Sequence, residues 1–142
     1  MKDKEPDVID LGNRFRRLGM RFTPQREAVW KLFRDSRRGY SISEAIEVLK
    51  DQGIGMATVY RTVTALQEIG RLHRVHDQTG EHRYVACKAV HGHPLVCEKC
   101  GLVQEFPSCD LSVLERLLAV ETGFTIKGHH LEVFGICPAC KA

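Results

Sequence analysis

The sequence predicts an α+β chain in two modules: a set of short helices closing on a β-ribbon, then a smaller cysteine-rich αβ unit. Three observations predict this. The 142 residues carry a formal net charge of only +3, yet residues 1–85 hold +4 and residues 86–142 hold −1. Residues 11–40 alone reach +7, with nine Arg and Lys against Glu27 and Asp35. All six cysteines (Cys87, Cys97, Cys100, Cys109, Cys137 and Cys140) lie in the second part. Helical periodicity fills the first part and then gives way to β-like runs. A chain of this length supports one core of ordinary size or two small ones. The shift in composition near 85–90 divides it into modules at 1–86 and 87–142.

The first helix rests on Leu11, Phe15 and Leu18, from about 8 to 18, and closes at Gly19. The second starts at Thr23-Pro24, because threonine is a natural N-cap and proline suits a position whose N–H has no helical partner. Ala28, Val29, Leu32 and Phe33 then share a face. Ser41-Ile42-Ser43-Glu44 has capping-box spacing and opens a third helix carrying Ala45, Ile46 and Leu49 before Gly53. A fourth runs from about 56 to 69, buries Val59, Val63, Leu66 and Ile69, and stops at Gly70. It leaves Tyr60, Arg61 and Thr64 facing outward.

Leu72-His73-Arg74-Val75-His76 and His82-Arg83-Tyr84-Val85-Ala86 flank the turn residues Asp77-Gln78-Thr79-Gly80 and read as a hairpin. Helices followed by a two-stranded ribbon outline a winged helix-turn-helix, whose last helix can enter a major groove about 12 Å wide. The same basic residues could instead solvate an ordinary surface. The outward Tyr60-Arg61 and a ribbon rich in His and Arg set the nucleic-acid reading level with that one.

In the second module, Cys97-Glu98-Lys99-Cys100 and Cys137-Pro138-Ala139-Cys140 supply four thiolates, the number and type that a tetrahedral structural zinc takes. A redox pair would need a thioredoxin-like βαβ setting that the sequence lacks, and a disulfide framework does not suit a chain expected to be cytoplasmic. Between the pairs, Leu102 to Phe106 reads as a strand and Leu111, Leu114, Leu117 and Leu118 as a helix that Ser108 or Asp110 could cap. Phe124 to Phe134 is extended in character. So small a layer cannot cover its own apolar face, and a second copy would complete it. Further metal-capable side chains are His73, Cys87, His91, His93, Glu105, and His129 with His130. The cluster of Cys87, His91 and His93 offers mixed sulfur and nitrogen ligands suited to zinc rather than a hard cation.

No stretch free of Asp, Glu, Lys and Arg exceeds nine residues, so a membrane span is not expected. The charged N-terminus lacks the apolar core of a secretory signal. A zinc enzyme is disfavoured, because neither H-E-x-x-H nor the deaminase pattern is present.

The run Arg21-x-Thr23-Pro24-Gln25-Arg26, the segment Ala57-Thr58-Val59-Tyr60-Arg61-Thr62-Val63, His91-x-His93 before Cys97-x-x-Cys100-Gly101, and Gly135-Ile136-Cys137-Pro138-x-Cys140 together resemble the ferric uptake regulator family. The resemblance spans about 14 to 140 and is nearest the zinc uptake regulators. It implies a winged-helix domain and an αβ dimerisation domain, forming a homodimer that represses metal-uptake genes by binding an inverted-repeat DNA operator when loaded. It puts Tyr60 and Arg61, with Thr58, toward the major groove. Arg21, Thr23, Gln25 and Arg26 go to the backbone or minor groove. It assigns Cys97, Cys100, Cys137 and Cys140 to structural zinc. His73, Cys87, Glu105 and either His91 or His93 go to a sensory zinc, and His129, with the His-x-His segment, to a second regulatory site. Tyr40 stands where iron and peroxide sensors of the family carry histidine, and Cys87 where they carry an acid, which favours zinc. Iron, nickel or peroxide is the alternative signal.

Overall fold

The structure, a computed structural model, describes residues 6–77, 79–87, 92–106 and 110–141. The chain forms two compact units, Met1–Cys87 and Lys88–Ala142. Among the described residues, no helix is long and apolar enough to cross a membrane.

The first unit runs α1 (Pro6–Arg17), α2 (Pro24–Arg34), α3 (Ile42–Leu49), α4 (Met56–Glu68), β1 (Leu72–His76) and β2 (His82–Ala86). The capping signals act as the sequence suggests. Thr23 Oγ1 accepts from Arg26 N at 3.3 Å, and Ser41 and Glu44 exchange both bonds of a capping box. Leu11, Phe15, Val29, Phe33, Leu49, Val59 and Leu66, each no more than 1% exposed, lie at the centre of one core. Each such side chain contributes roughly 1.5–3 kcal/mol on burial.

β1 and β2 pair antiparallel from Leu72↔Ala86 to His76↔His82. Tyr40 adds a single bridge to Tyr84 at the edge of this wing. Gly39 permits that approach: it holds φ +68, and a Cβ there would lie 2.1 Å from Tyr84 O. Arg71 clamps the opposite end, donating to Asp7 and Asp10 of α1, while Trp30 Nε1 donates to Asp7 at 2.8 Å.

The second unit holds β3 (His93–Cys97), β4 (Val103–Phe106), α5 (Ser112–Thr122), β5 (Val133–Gly135) and the single-turn α6 (Pro138–Lys141). The sheet order is β4-β3-β5, with β4 antiparallel and β5 parallel to β3. Three differences from the sequence reading stand out. The central strand is β3, whose sequence reads only as a ligand-bearing approach to Cys97. Of the extended run from Phe124 to Phe134, only Val133 and Phe134 enter a strand, joined by Gly135, because β3 offers β5 just Leu95 to Cys97 as partners. The N-cap of α5 is Leu111, which has no side-chain cap bond; Asp110, one residue earlier, accepts from Ser112 N at 3.0 Å through Oδ1, and Ser108, the other candidate cap, lies outside the described residues. No residue of α5 is buried; Val113, Leu117 and Val120 are 70%, 51% and 84% exposed, and Phe124 beyond it 72%.

Candidate metal centre and nucleic-acid interface

The four-cysteine cluster is built by the parallel pairing of β3 and β5. That pairing sets Cys97 opposite Gly135, so the two C-x-x-C turns leave the sheet side by side. The first turn closes with Gly101 N donating to Cys97 O at 2.9 Å, with Gly101 at φ +75. The second closes with Cys140 N donating to Cys137 O at 3.0 Å, and Glu98 N donates to Gly135 O at 2.9 Å across the two. The ligand atoms of Cys97, Cys100, Cys137 and Cys140 all lie within 4.8 Å of one another, and Cys100 Sγ and Cys137 Sγ are 3.8 Å apart. Zn–S bonds of about 2.3 Å at tetrahedral angles put sulfurs about 3.8 Å apart, so the cluster fits zinc.

The electrostatics agree. Backbone N–H donation from Cys137 and Cys100 draws the Cys97 thiol down to about 6. Hydrogen bonding to Cys137, burial and the neighbouring thiols push Cys140 up to about 12. The protein's own dipoles stabilise one thiolate, and four thiolates together require a cation.

In the first unit, His73 on β1 and Cys87 just past β2 present ligand atoms within 4.8 Å of each other. Cys87 is 4% exposed, and its N–H donates to Arg71 O at 2.9 Å, extending the ladder that holds both residues. In the second unit, Glu105 on β4 pairs with Pro94 and lies against Gly92. His93, 5% exposed, turns its Nε2 to His129 Nε2 at 3.2 Å, and His129 Nδ1 meets Glu115 Oε1 at 2.9 Å. Glu115 was missed by sequence reasoning: on α5 it reads as one more solvent-facing charge. His91 and Cys109 lie outside the described residues.

The DNA-facing candidates fall into two groups. On α4, Tyr60 is 47% exposed and Arg61 is exposed beside it, its Nε donating to Ala57 O at 3.3 Å. Thr58 is half-buried, and its carbonyl accepts from Thr62 Oγ1 at 2.6 Å. Arg21 and Gln25 are exposed at the start of α2. Thr23 and Arg26 also serve the local fold, Thr23 as the N-cap and Arg26 by donating to Arg21 O.

Residues 17–134 match the model of the ferric uptake regulator family. The ferric uptake regulation protein of Neisseria gonorrhoeae is 34% identical over 127 residues, covering 87% of this chain and 88% of its own. The solved ferric uptake regulator of Vibrio cholerae aligns with a TM-score of 0.62 at 26% identity, over 90% of this chain and 100% of its own. A zinc uptake regulator complexed with zinc and DNA aligns with a TM-score of 0.72 at 24% identity, over 96% and 97%, a likeness of fold.

Proposed function

The chain belongs to the ferric uptake regulator family and is a DNA-binding transcription regulator that responds to metal, and we propose that its metal is zinc and its action repression by a homodimer at an inverted-repeat operator. Membership also makes it a regulator rather than an enzyme. The observation that carries the zinc reading is the His73–Cys87 pair, an imidazole and a buried sulfur within 4.8 Å. Such a soft donor set favours zinc over ferrous iron.

In this reading Cys97, Cys100, Cys137 and Cys140 hold a structural ion. His73 and Cys87 hold a sensory one, to which the family resemblance adds Glu105 and either His91 or His93; His129 and Glu115, with His93 where His91 serves the sensory ion, form a second regulatory set. Zinc supplies positive charge that four thiolates need and a fixed geometry for mixed ligands. By tying down the wing strands, His73 and Cys87 favour the conformer whose two α4 helices stand one duplex turn apart, about 34–36 Å. Coupling of about 1–3 kcal/mol is typical of such linkage. The exposed apolar residues of α5 and Phe124 support a second copy as the partner. Tyr60 and Arg61 read base edges, and the basic surface of residues 11–40 meets phosphates.

A second reading has its own support, since the Neisseria gonorrhoeae relative is a ferric uptake regulation protein; nickel or peroxide is the remaining signal of that kind. One experiment separates them. An operator is selected from random duplexes by the loaded protein, and binding is titrated with Zn2+, anaerobic Fe2+, Ni2+ and Mn2+. Because Zn2+ outbinds Fe2+ at most sites of this kind, the readout is the gain in operator affinity with each ion at saturation, and zinc should give the largest gain. A larger gain with saturating Fe2+ gives the iron reading.

A further inference from the structure

We propose that His76 and His82 form a chelating site for a late first-row divalent cation at the tip of the β1–β2 wing. The two residues are cross-strand partners at the last pair before the turn. Asp77 N donates to Glu81 O at 3.0 Å and Cys87 N to Arg71 O at 2.9 Å. Antiparallel pairs alternate, so His76↔His82 is a non-hydrogen-bonded pair, the kind in which facing side chains come closest. Their ring centroids are 4.7 Å apart with planes inclined at 62°. Metal–imidazole bonds of about 2.0–2.1 Å put each ring centre about 3.2 Å from the ion, and two rings at 90–110° then stand about 4.5–5.2 Å apart. The observed spacing falls within that range.

The pair is accessible and rigidly held. Both histidines are exposed. The turn beyond them is pinned, because Asp77 Oδ1 accepts from Thr79 N at 2.8 Å, Thr79 Oγ1 at 2.6 Å and Glu81 N at 2.9 Å. Those bonds fix the strand ends that carry the two histidines. Arg83, on the opposite face of β2, donates to Glu44 Oε1 at 2.8 Å and Gly39 O at 2.9 Å; exposed Arg74 shares the face of His76 two residues away, and its long side chain can extend into solvent. Two neutral imidazoles with water completing the shell suit Cu2+, Ni2+ and Zn2+, in that order of the first two by the Irving–Williams series. The chelate stands without the DNA-binding reading and uses none of the residues assigned to the other metal sets.

The test titrates Ni2+ at neutral pH into the full chain dialysed against a weak chelator so that it keeps only its tightly held zinc, following paramagnetic broadening of the histidine ring resonances. His76 and His82 should broaden together and before the other histidines. Either His76→Asn or His82→Asn should weaken Ni2+ binding at the remaining ring by about 10²-fold, since the second ligand acts at high effective concentration. Both positions are at the surface, and an unchanged thermal transition verifies the fold. Broadening confined to other histidines, or His76 broadening that persists undiminished in His82→Asn, overturns the proposal.

Discussion

His93 and His129 face each other Nε2 to Nε2 at 3.2 Å, and the far nitrogen of His129 is held by Glu115 at 2.9 Å. The carboxylate accepts from His129 Nδ1–H, which leaves the Nε2 lone pair of His129 directed at His93. One ion bound at about 2.0–2.1 Å by both Nε2 atoms would set them about 3.3 Å apart, so the pair needs almost no movement to become a chelate. Glu115 then acts on the metal through the imidazole it orients. His129→Asn should remove one weakly held zinc equivalent after dialysis against chelator while the four-cysteine zinc stays. Glu115→Gln should weaken that same equivalent by about 10–100-fold.

The two cysteine classes should part cleanly. Cys97 anchors both C-x-x-C turns, accepting from Cys137 N at 3.3 Å as well as offering its sulfur to the cluster. Structural zinc sites contribute about 10–16 kcal/mol of folding free energy in small domains. Cys97→Ser should therefore lose that zinc and the folded second unit together, read by metal analysis and by loss of amide hydrogen-exchange protection across β3, β4 and β5. Cys87→Ser should keep a folded dimer and lose about 5–150-fold in zinc-dependent operator affinity. A Cys97→Ser protein that stays folded and zinc-poor sinks the structural assignment.

Charge and sequence reading should separate in the same way on DNA. Arg61→Ala removes an exposed guanidinium from the middle of α4 and should cost about 1–3 kcal/mol of specific binding, with little change on random duplex. Arg17, exposed at the end of α1, should weaken both kinds of binding when replaced by alanine and reduce the salt slope by about 1. Filter-binding isotherms across salt concentrations measure both.

Glu44 predicts a pH dependence. The Arg83 guanidinium first, and then the Ser41 N–H, hold its carboxyl below the ordinary value of 4.5. A carboxyl whose folded value is depressed stabilises the fold fully above its unfolded value, and that contribution is lost as pH falls through the folded value. Its side chain is 45% exposed, so solvent screening limits the ion pair to about 0–1 kcal/mol. Glu44→Gln should lower the thermal midpoint by a few degrees at neutral pH, with the difference closing below about pH 4.

What the sequence discloses follows from the range of the forces involved. Local chemistry is legible: Thr23-Pro24, the Ser41–Glu44 box and the Asp77–Gly80 turn are interactions among near neighbours, and the helices and hairpin they delimit appear at those places. The paired C-x-x-C spacing is legible because zinc chemistry restricts the ligand type. Long-range pairing is not. β3 was missed because its strand character depends on β4 and β5 on either side, and its own residues include Pro94 and two ligand types. Glu115 was hidden because its partner, His129, is fourteen positions away across an irregular segment. The need for glycine at 39 arises only from Tyr84 folding back against it.

Gly92 carries the last prediction. A Cβ built there would meet Glu105 Oε1 at 2.0 Å, Cδ at 2.5 Å and Cγ at 2.6 Å. Backbone contacts of that closeness would threaten the fold, but the atoms met here belong to a flexible side chain that can rotate away. Gly92→Ala should therefore displace the Glu105 carboxylate without unfolding β3 or β4, which pair through Val96↔Val103 and its neighbours. If Glu105 is a sensory ligand, the variant should keep the four-cysteine zinc and its thermal midpoint, and lose zinc-dependent operator affinity to the same extent as Glu105→Ala. Adding Glu105→Ala to Gly92→Ala should then cost nothing more, since contacting residues that act through one group are non-additive. Additive losses in the double variant would mean that Gly92 serves some other purpose than leaving room for that carboxylate.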